Sequence, residues 1–272
     1  MRLLLILCIG AQLLGAAGRS ASAQQQQRPP QPLDTVRVTV TSRAAPLLVS
    51  SQRSVEVIDR KSIERRAARS VTDALATALG ADVQVRSPMQ ADFSLRGSSL
   101  GQTLVLVDGV RMTDLQTAHF DLDLAVPIDL VERIEILRGP GSAMYGSDAI
   151  GGIVNIVTRS GSEWDRWRLH AGSFGTVGGG ASIARAAGGA TIHRAALDGE
   201  RSDGHRQGTD YDLLQASVGV ERTIGTARVA SDASLASRNF GAADFYAPAP
   251  SYERTRTQAV SLRVADLPLG AW

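Results

Sequence analysis

Three aspartates, Asp203, Asp210 and Asp212, fall close together in the segments RSDG and TDYD. Calcium takes about six to eight oxygen ligands, and three carboxylates with backbone carbonyls can begin such a site. A solvated acidic loop has the same composition, so both readings stand. Other chemistry finds little material. His119, His170, His193 and His205 lack metal-ligand spacing, and the sequence has neither a GxSxG elbow nor a phosphate loop with its lysine. Gly139 and Gly141 open a GxG, but Met144 stands where a dinucleotide fingerprint needs glycine. The run Gly178-Gly179-Gly180 suits a strand or turn. The sequence therefore implies no enzyme and no required cofactor, with calcium as the one candidate ion.

Charge and composition narrow the classes further. The 272 residues carry a formal net charge of +2, which gives no reason to expect nucleic acid as a partner. Lys61 is the only lysine, and Cys8, the only cysteine, lies in an N-terminal apolar run. That run has the form of a secretory signal: Arg2, the apolar Leu3 to Leu14, and the small residues Ala21-Ser22-Ala23. Residues 1–23 are expected to be removed on export. Gln24 to Pro32 is a glutamine and proline tract that cannot bury a core. Val36, Val38 and Val40 then alternate with Arg37 and Thr39, the pattern of a strand on a flexible tether. Such a strand can add itself to the edge of a partner's sheet.

Residues 45–160 read as one α/β unit. Strands are expected at Ser54 to Ile58, from Val83 and Val85, at Phe93 to Gly97 and at Leu104 to Val107, the last ending in the turn Asp108-Gly109. Asp59 to Ala68 should form a short helix. Ser70 to Asp73 has the form of a capping box, with Leu75 and Leu79 expected on one face of the helix that it opens. Ile134, Ile136 and Arg138 alternate with Glu135 and Leu137, as in a half-buried strand. Gly139-Pro140-Gly141 breaks it, and Ile153 to Thr158 follows as a second, β-branched strand.

The string Arg133 to Arg159, RIEILRGPGSAMYGSDAIGGIVNIVTR, closely resembles the end of the plug domain of TonB-dependent outer-membrane receptors. FSLRG and LVLVDGVR match the same domain in order, and Asp34-Thr35-Val36-Arg37-Val38-Thr39 resembles a TonB box. The resemblance implies that the box engages the C-terminal domain of TonB in the periplasm. It also implies that Arg96 and Arg138, one in each arginine-glycine motif, lock the plug to glutamates on a barrel wall. Apical plug loops of this family touch the ligand. The matching segments are Arg86 to Asp92 and Thr113 to Asp121, with Met89, Gln90, Gln116 and His119 as candidate ligand contacts.

Beyond Ser160 the periodicity changes. Trp167, Leu169 and Ala171 alternate with Arg168 and His170; Leu214 to Val220 and Val260 to Val264 alternate likewise. A soluble antiparallel sandwich gives a similar pattern; next to a plug it reads as the wall of a transmembrane barrel. Residues 161–272 have room for about five or six such strands, where a plugged barrel needs about twenty-two. The expected fold is thus a small mixed α/β plug followed by the start of an antiparallel transmembrane β-barrel, truncated. Residues 24–44 form a tail with the TonB box. The expected function is import of a scarce small molecule across the outer membrane of a Gram-negative bacterium. The alternative is a plug-type binding or signalling module without transport, or an inactive fragment. YGSDAIGGIVNIVT and the segment Arg238 to Tyr246 resemble cobalamin and some siderophore receptors, which leaves cobalamin and ferric siderophore both open as ligand. The calcium reading of Asp203, Asp210 and Asp212 is likewise what a resemblance to the cobalamin receptor implies. Phe240, Phe245 and Tyr246 fit ligand stacking and anchoring at the membrane surface equally well.

Overall fold

The computed structural model describes residues 54–112, 119, 122–245 and 247–266. Seven strands and three short helices precede a six-stranded sheet. The first group comprises β1 (Ser54–Asp59), α1 (Arg60–Arg65), α2 (Val71–Leu75), β2 (Ala81–Ser87), β3 (Gln90–Leu95), β4 (Thr103–Val107), β5 (Val110–Arg111), β6 (Val131–Arg138), α3 (Ser142–Tyr145) and β7 (Gly152–Thr158). The strands order as β1-β6-β7-β4-β5 in one sheet and β2-β3 in a hairpin. β4 and β7 run parallel, while the other paired neighbours run antiparallel, so the sheet is mixed.

Local chemistry explains the boundaries. Asp59 caps α1 by accepting from the Ser62 amide at 2.8 Å, and Ser70 caps α2 by accepting from the Asp73 amide at 3.0 Å. The reciprocal leg of the capping box is displaced: Asp73 accepts from the Arg69 amide at 3.0 Å rather than from Ser70. Asp108 and Gly109 both take positive φ, 50° and 81°, which suits a tight hairpin between β4 and β5. Gly152 is required by close approach, since a Cβ there would lie 2.5 Å from the Leu137 carbonyl oxygen.

Two expectations are corrected. β6 is central, between β1 and β7, so Ile134, Glu135, Ile136 and Leu137 are all buried and the strand is not half-exposed. Glu135 is tolerated there because the Arg133 guanidinium lies 2.8 Å away. Leu79 does not share a helical face with Leu75: α2 ends at Leu75, which is buried, and Leu79 is exposed. One core cluster gathers Ile58, Ile63, Leu75, Phe93, Ile134 and Ile156; a second gathers Leu104, Leu106, Leu137, Tyr145 and Ile153. Alternate residues of β6 and β7 feed the two clusters.

The second sheet is an antiparallel meander: β8 (Trp164–Ala171), β9 (Val177–Ala186), β10 (Thr191–Ser202), β11 (Tyr211–Ile224), β12 (Ala227–Gly241) and β13 (Tyr252–Ala265). One end carries short turns, 187–190 and 225–226; the other carries 172–176 and the longer loops 203–210 and 242–251. Side chains alternate most regularly on β8 and β13. On β13, Glu253, Thr255, Thr257, Ser261 and Arg263 are half-buried, while Arg254, Arg256, Val260, Leu262 and Val264 are exposed.

The outward apolar residues form a slanted band. On β8 they are Trp167, Leu169 and Ala171; on β11, Leu214 to Val220; on β13, Val260, Leu262 and Val264. Following the pairing from Leu169 across five strand boundaries leads to Gly179, Gly199, Leu214, Ser237 and Arg256, and the centre of the band on β13 lies six residues further on, at Leu262. Six residues span about 20 Å and five strand spacings about 24 Å, a slope of about 40°. Strands of a transmembrane barrel tilt by about 35–45°. A flat belt of lipid around tilted strands produces this diagonal.

Candidate functional site: the plug–wall interface

The inward face of the six-stranded wall is polar and meets the α/β unit. β8 supplies Arg166 and Arg168 from alternate positions; Arg166 lies 2.6 Å from Glu64 on α1, and Arg168 lies 3.4 Å from Asp129 just before β6. β13 supplies Arg263, 3.0 Å from Asp108 in the β4–β5 turn. Arg194 donates to the Arg159 carbonyl at 2.7 Å. Arg238 and Gln215 donate to the Leu124 carbonyl at 2.7 and 2.8 Å. In these contacts the donors stand on the wall and the acceptors on the inner unit. The reverse sense occurs at Arg69, 3.3 Å from Glu200 on β10, and at Gln90, whose amide lies 3.5 Å from Glu253.

Glycines on the inward face make room for these groups. A Cβ on Gly180 would fall 2.5 Å from the Asp198 carboxylate, 2.8 Å from Asp129 and 3.3 Å from the Arg168 guanidinium. A Cβ on Gly178 would fall 2.6 Å from the His170 ring, which lies 2.6 Å from Glu200. Gly219 clears space for Arg194 and Asp232 in the same way. The Gly178-Gly179-Gly180 run thus lies within a strand, and two of its members are the floor beneath an ionic cluster. Asp129, Asp198 and Glu200 are largely buried there; Arg168, Arg60 and Arg69 oppose their charge, and the His170 ring lies 2.6 Å from Glu200.

The expected site residues are distributed differently. Among the described residues Arg138 makes no contact with the six wall strands; it pairs with Glu56 on β1 and donates to the Leu79 carbonyl at 2.9 Å and the Ser54 hydroxyl at 3.2 Å. It therefore staples the edge strand β1 onto β6. Arg96 is exposed in the left-handed region, with φ 56°, and makes no ion pair among the described residues. Arg86 to Asp92 is a hairpin rather than a free loop. Met89 is buried against Tyr211, Phe240 and Ala242, and Gln90 is buried beside Glu253, where it lines a cavity of about 620 Å³ between the hairpin and β13. His119 is half exposed, with its Nδ1 3.3 Å from Asp92. Asp34 to Thr39 and Gln116 lie outside the described residues, as does Tyr246. Phe240 is fully buried in the wall–hairpin seam, 6.4 Å from the Phe245 ring.

The three loop aspartates do not converge. Asp212 is on the outward face of β11, paired in register with Arg201 and Asn239, while Asp203 lies against Gly175 and the Asp210 carbonyl accepts from the Gly241 amide. Among the described residues no group of three or more His, Cys, Asp or Glu side chains is placed to hold a metal ion. Strand alternation turns Asp212 away from the loop.

Sequence reasoning missed Asp129, Arg168, Asp198 and Glu200. The available signal was an inward arginine on β8 two strands away from an Asp-x-Glu pair on β10, with glycines between.

The family model for the TonB-dependent receptor plug domain matches residues 48–153. The α/β unit is thus similar to a TonB-dependent receptor plug. An iron-regulated outer membrane virulence protein of Vibrio cholerae serotype O1 is 39% identical over 132 residues, covering 46% of this chain and 20% of the relative. The vitamin B12 transporter BtuB of the same species is 35% identical over 144 residues, covering 52% of this chain and 23% of the relative. The chain thus spans about a fifth of the length of these curated relatives. The alcaligin outer-membrane receptor FauA of Bordetella pertussis shares the fold with a TM-score of 0.62 at 20% identity, over 79% of this chain and 36% of FauA. The ferric yersiniabactin uptake receptor FyuA of Yersinia pestis aligns with a TM-score of 0.58 at 18% identity, over 73% of this chain and 33% of FyuA. The residues matched by the plug model thus lie in the α/β unit, and the chain shares its fold with the plug and first wall strands of these receptors.

Removing the Arg138 guanidinium is expected to loosen β1, the plug strand nearest the N-terminal tail. Arg138→Ala should lower amide protection on β1 about ten-fold while β6 and β7 keep theirs, as read by hydrogen exchange. Equal protection throughout would show that the staple contributes nothing.

Glu64 gives the interface a pH dependence. Burial raises its carboxyl pKa, but Arg60 and Arg166 outweigh that and hold it below the ordinary 4.5. A depressed carboxyl stabilises the folded state above its unfolded pKa and loses that contribution as pH falls through the lowered value. The melting-temperature gap between wild type and Glu64→Gln should therefore be constant from neutral pH to about 4.5 and shrink below it. A gap that widens in acid would contradict the pairing.

Proposed function

We propose that this chain is the plug and first wall segment of a TonB-dependent receptor that imports a scarce small molecule into the periplasm. The observation that carries the reading is a plug seated by polar contacts against a wall whose outer face bears a band of apolar side chains slanted at about 40°. In this reading the segment Asp34 to Thr39 pairs as a strand with the TonB C-terminal domain, and force on the tail reaches the plug through β1.

An iron-linked ligand such as a ferric siderophore is the first candidate, supported by the 39% identical iron-regulated relative. Cobalamin is the second, supported by the 35% identical vitamin B12 transporter. His119, on the plug, is the described candidate for touching the ligand. The deciding experiment is uptake by cells expressing the whole gene as their sole receptor, with labelled cobalamin and labelled ferric siderophores in turn. Uptake of one ligand that disappears without TonB supports the reading; TonB-independent passage of both would overturn it.

A further inference from the structure

The cavity of about 620 Å³ beside Gln90 lies between the plug and β11 to β13, and it follows the inward face of β13 from Glu253 to Ser261. Its volume falls within the range of small-molecule sites, about 300–1,000 Å³. Its two sides differ. The plug supplies apolar groups, Val107, Met112 and Val126, and the wall supplies hydroxyls, Ser234, Thr257 and Ser261. Its two ends differ as well. Towards the short turns each carboxylate is matched: Arg263 lies 3.0 Å from Asp108 and 2.7 Å from Asp232, and Arg194 also pairs with Asp232. Asp123 has the buried Arg238 guanidinium to balance it, and Arg111 is taken by Asp148. The end beside the 242–251 loop is different. Glu253 stands on the inward face of β13 and makes no ion pair among the described residues, while Arg254 and Arg256 face outward. Gln90 beside it is 2% exposed, and its carbonyl oxygen has no hydrogen-bond partner among the described residues. The Thr255 hydroxyl, two residues along the same strand face, is buried and likewise unpaired.

From this placement we propose that the loop end of the cavity binds a protonated primary amine carried by the imported small molecule. The inference rests on the import reading above and adds the ligand's charge to it. An ammonium group has three donors and no acceptor. Glu253, Gln90 and Thr255 present three acceptors, one of them charged. Gln90 lies 3.5 Å from Glu253, and Thr255 follows about 7 Å along the strand. Buried acceptors without a donor are costly, and hydrogen bonds to a charged donor are the strong ones, so the gain is largest for a cation. A bare calcium ion suits the corner less, because it takes about six to eight oxygens and Glu253 is the one carboxylate without a cation. The apolar plug side accepts the body of a ligand, and the wall hydroxyls accept its polar edge. The same carboxylate repels a chelate of net negative charge. An iron(III) chelate bearing an amine is thus the expected class of cargo.

The test uses the whole receptor purified in detergent and three probes: an iron(III) linear trihydroxamate ending in a primary amine, the same chelate with its amine acetylated, and pentylamine alone. Affinities are measured by calorimetry for wild type, Glu253→Gln and Thr255→Val, with melting temperatures as a check on folding. Wild type should bind the amine chelate about ten-fold or more tightly than the acetylated one. Glu253→Gln should erase that preference while still binding the acetylated chelate, and Thr255→Val should reduce it. Equal binding of the two chelates by wild type overturns the site, as does a preference that survives in Glu253→Gln or failure of all three probes to bind. Pentylamine binding as tightly as the amine chelate would make the corner a site for free amines and overturn its link to the cargo. Uptake of the amine chelate by cells with and without TonB separates this inference from the import reading. Passage that persists without TonB sinks the import reading; TonB-dependent uptake of both chelates alike sinks only this inference.

Discussion

Gly180→Leu is expected to unseat the plug. The new side chain must occupy space already filled by Asp198, Asp129 and Arg168, and no rotamer avoids the clash because it begins at Cβ. Either the wall strand shifts or the Arg168–Asp129 and Arg168–Asp198 pairs part. Opening a largely buried ion cluster while leaving its charges in place costs about 3–5 kcal/mol. A loss of that size would appear as a melting transition lowered by several degrees and as entry of large antibiotics that a seated plug excludes. Ala181→Val, one residue on and facing lipid, should change neither, because its outward position meets no plug atom. Identical behaviour of the two variants would show that the glycine is not clearing space for the cluster. Arg168→Ala should resemble Gly180→Leu, since it leaves Asp129 and Asp198 facing each other with less neutralising charge.

Val38→Pro is expected to abolish energised uptake while preserving ligand binding at the cell surface. Proline removes a backbone donor from the proposed TonB-pairing strand and fixes φ near −65°, away from extended pairing geometry. Because the segment is proposed to work through its backbone, Val38→Thr, which keeps the donor and the β-branch, should transport. Uptake by cells, scored beside surface binding of the same labelled ligand, distinguishes failed coupling from failed recognition. Normal transport by the proline variant would remove the TonB-box assignment.

Much of this architecture is written in periodicity. The alternation of Arg168 and His170 with Trp167 and Leu169 already separates an inner from an outer face, and Asp108-Gly109 marks its hairpin. The sequence does not state register. Whether Arg168 meets Asp129 depends on how β8 is offset against the plug, and that offset is fixed by packing between segments distant in the chain. The partner that Arg138 takes within the described residues was hidden for a related reason. An arginine-glycine motif identifies the turn but not the partner, and Arg138 finds Glu56 on its own sheet because β1 lies beside β6. Met89 and Gln90 were placed in a loop because Arg86 to Asp92 matches an apical plug loop of the family; the segment is instead a hairpin packed against Phe240 and Glu253. The Gly178–Gly180 run carried its information as an absence of side chains, which gains meaning only when the neighbouring strands are in place.

Those inward glycines bear on attempts to exchange plugs between receptors. The wall behaves as a mould cast around particular carboxylates and guanidinium groups: Gly178 under His170, Gly180 under Asp129, Gly219 under Arg194. A foreign plug grafted onto this wall would bring charges to other places, meeting full-sized side chains where it needs hollows and leaving hollows where it brings none. A working chimera would have to carry its own pattern of wall glycines on β9 and β11, so the natural unit of exchange is the plug together with the first strands that follow it.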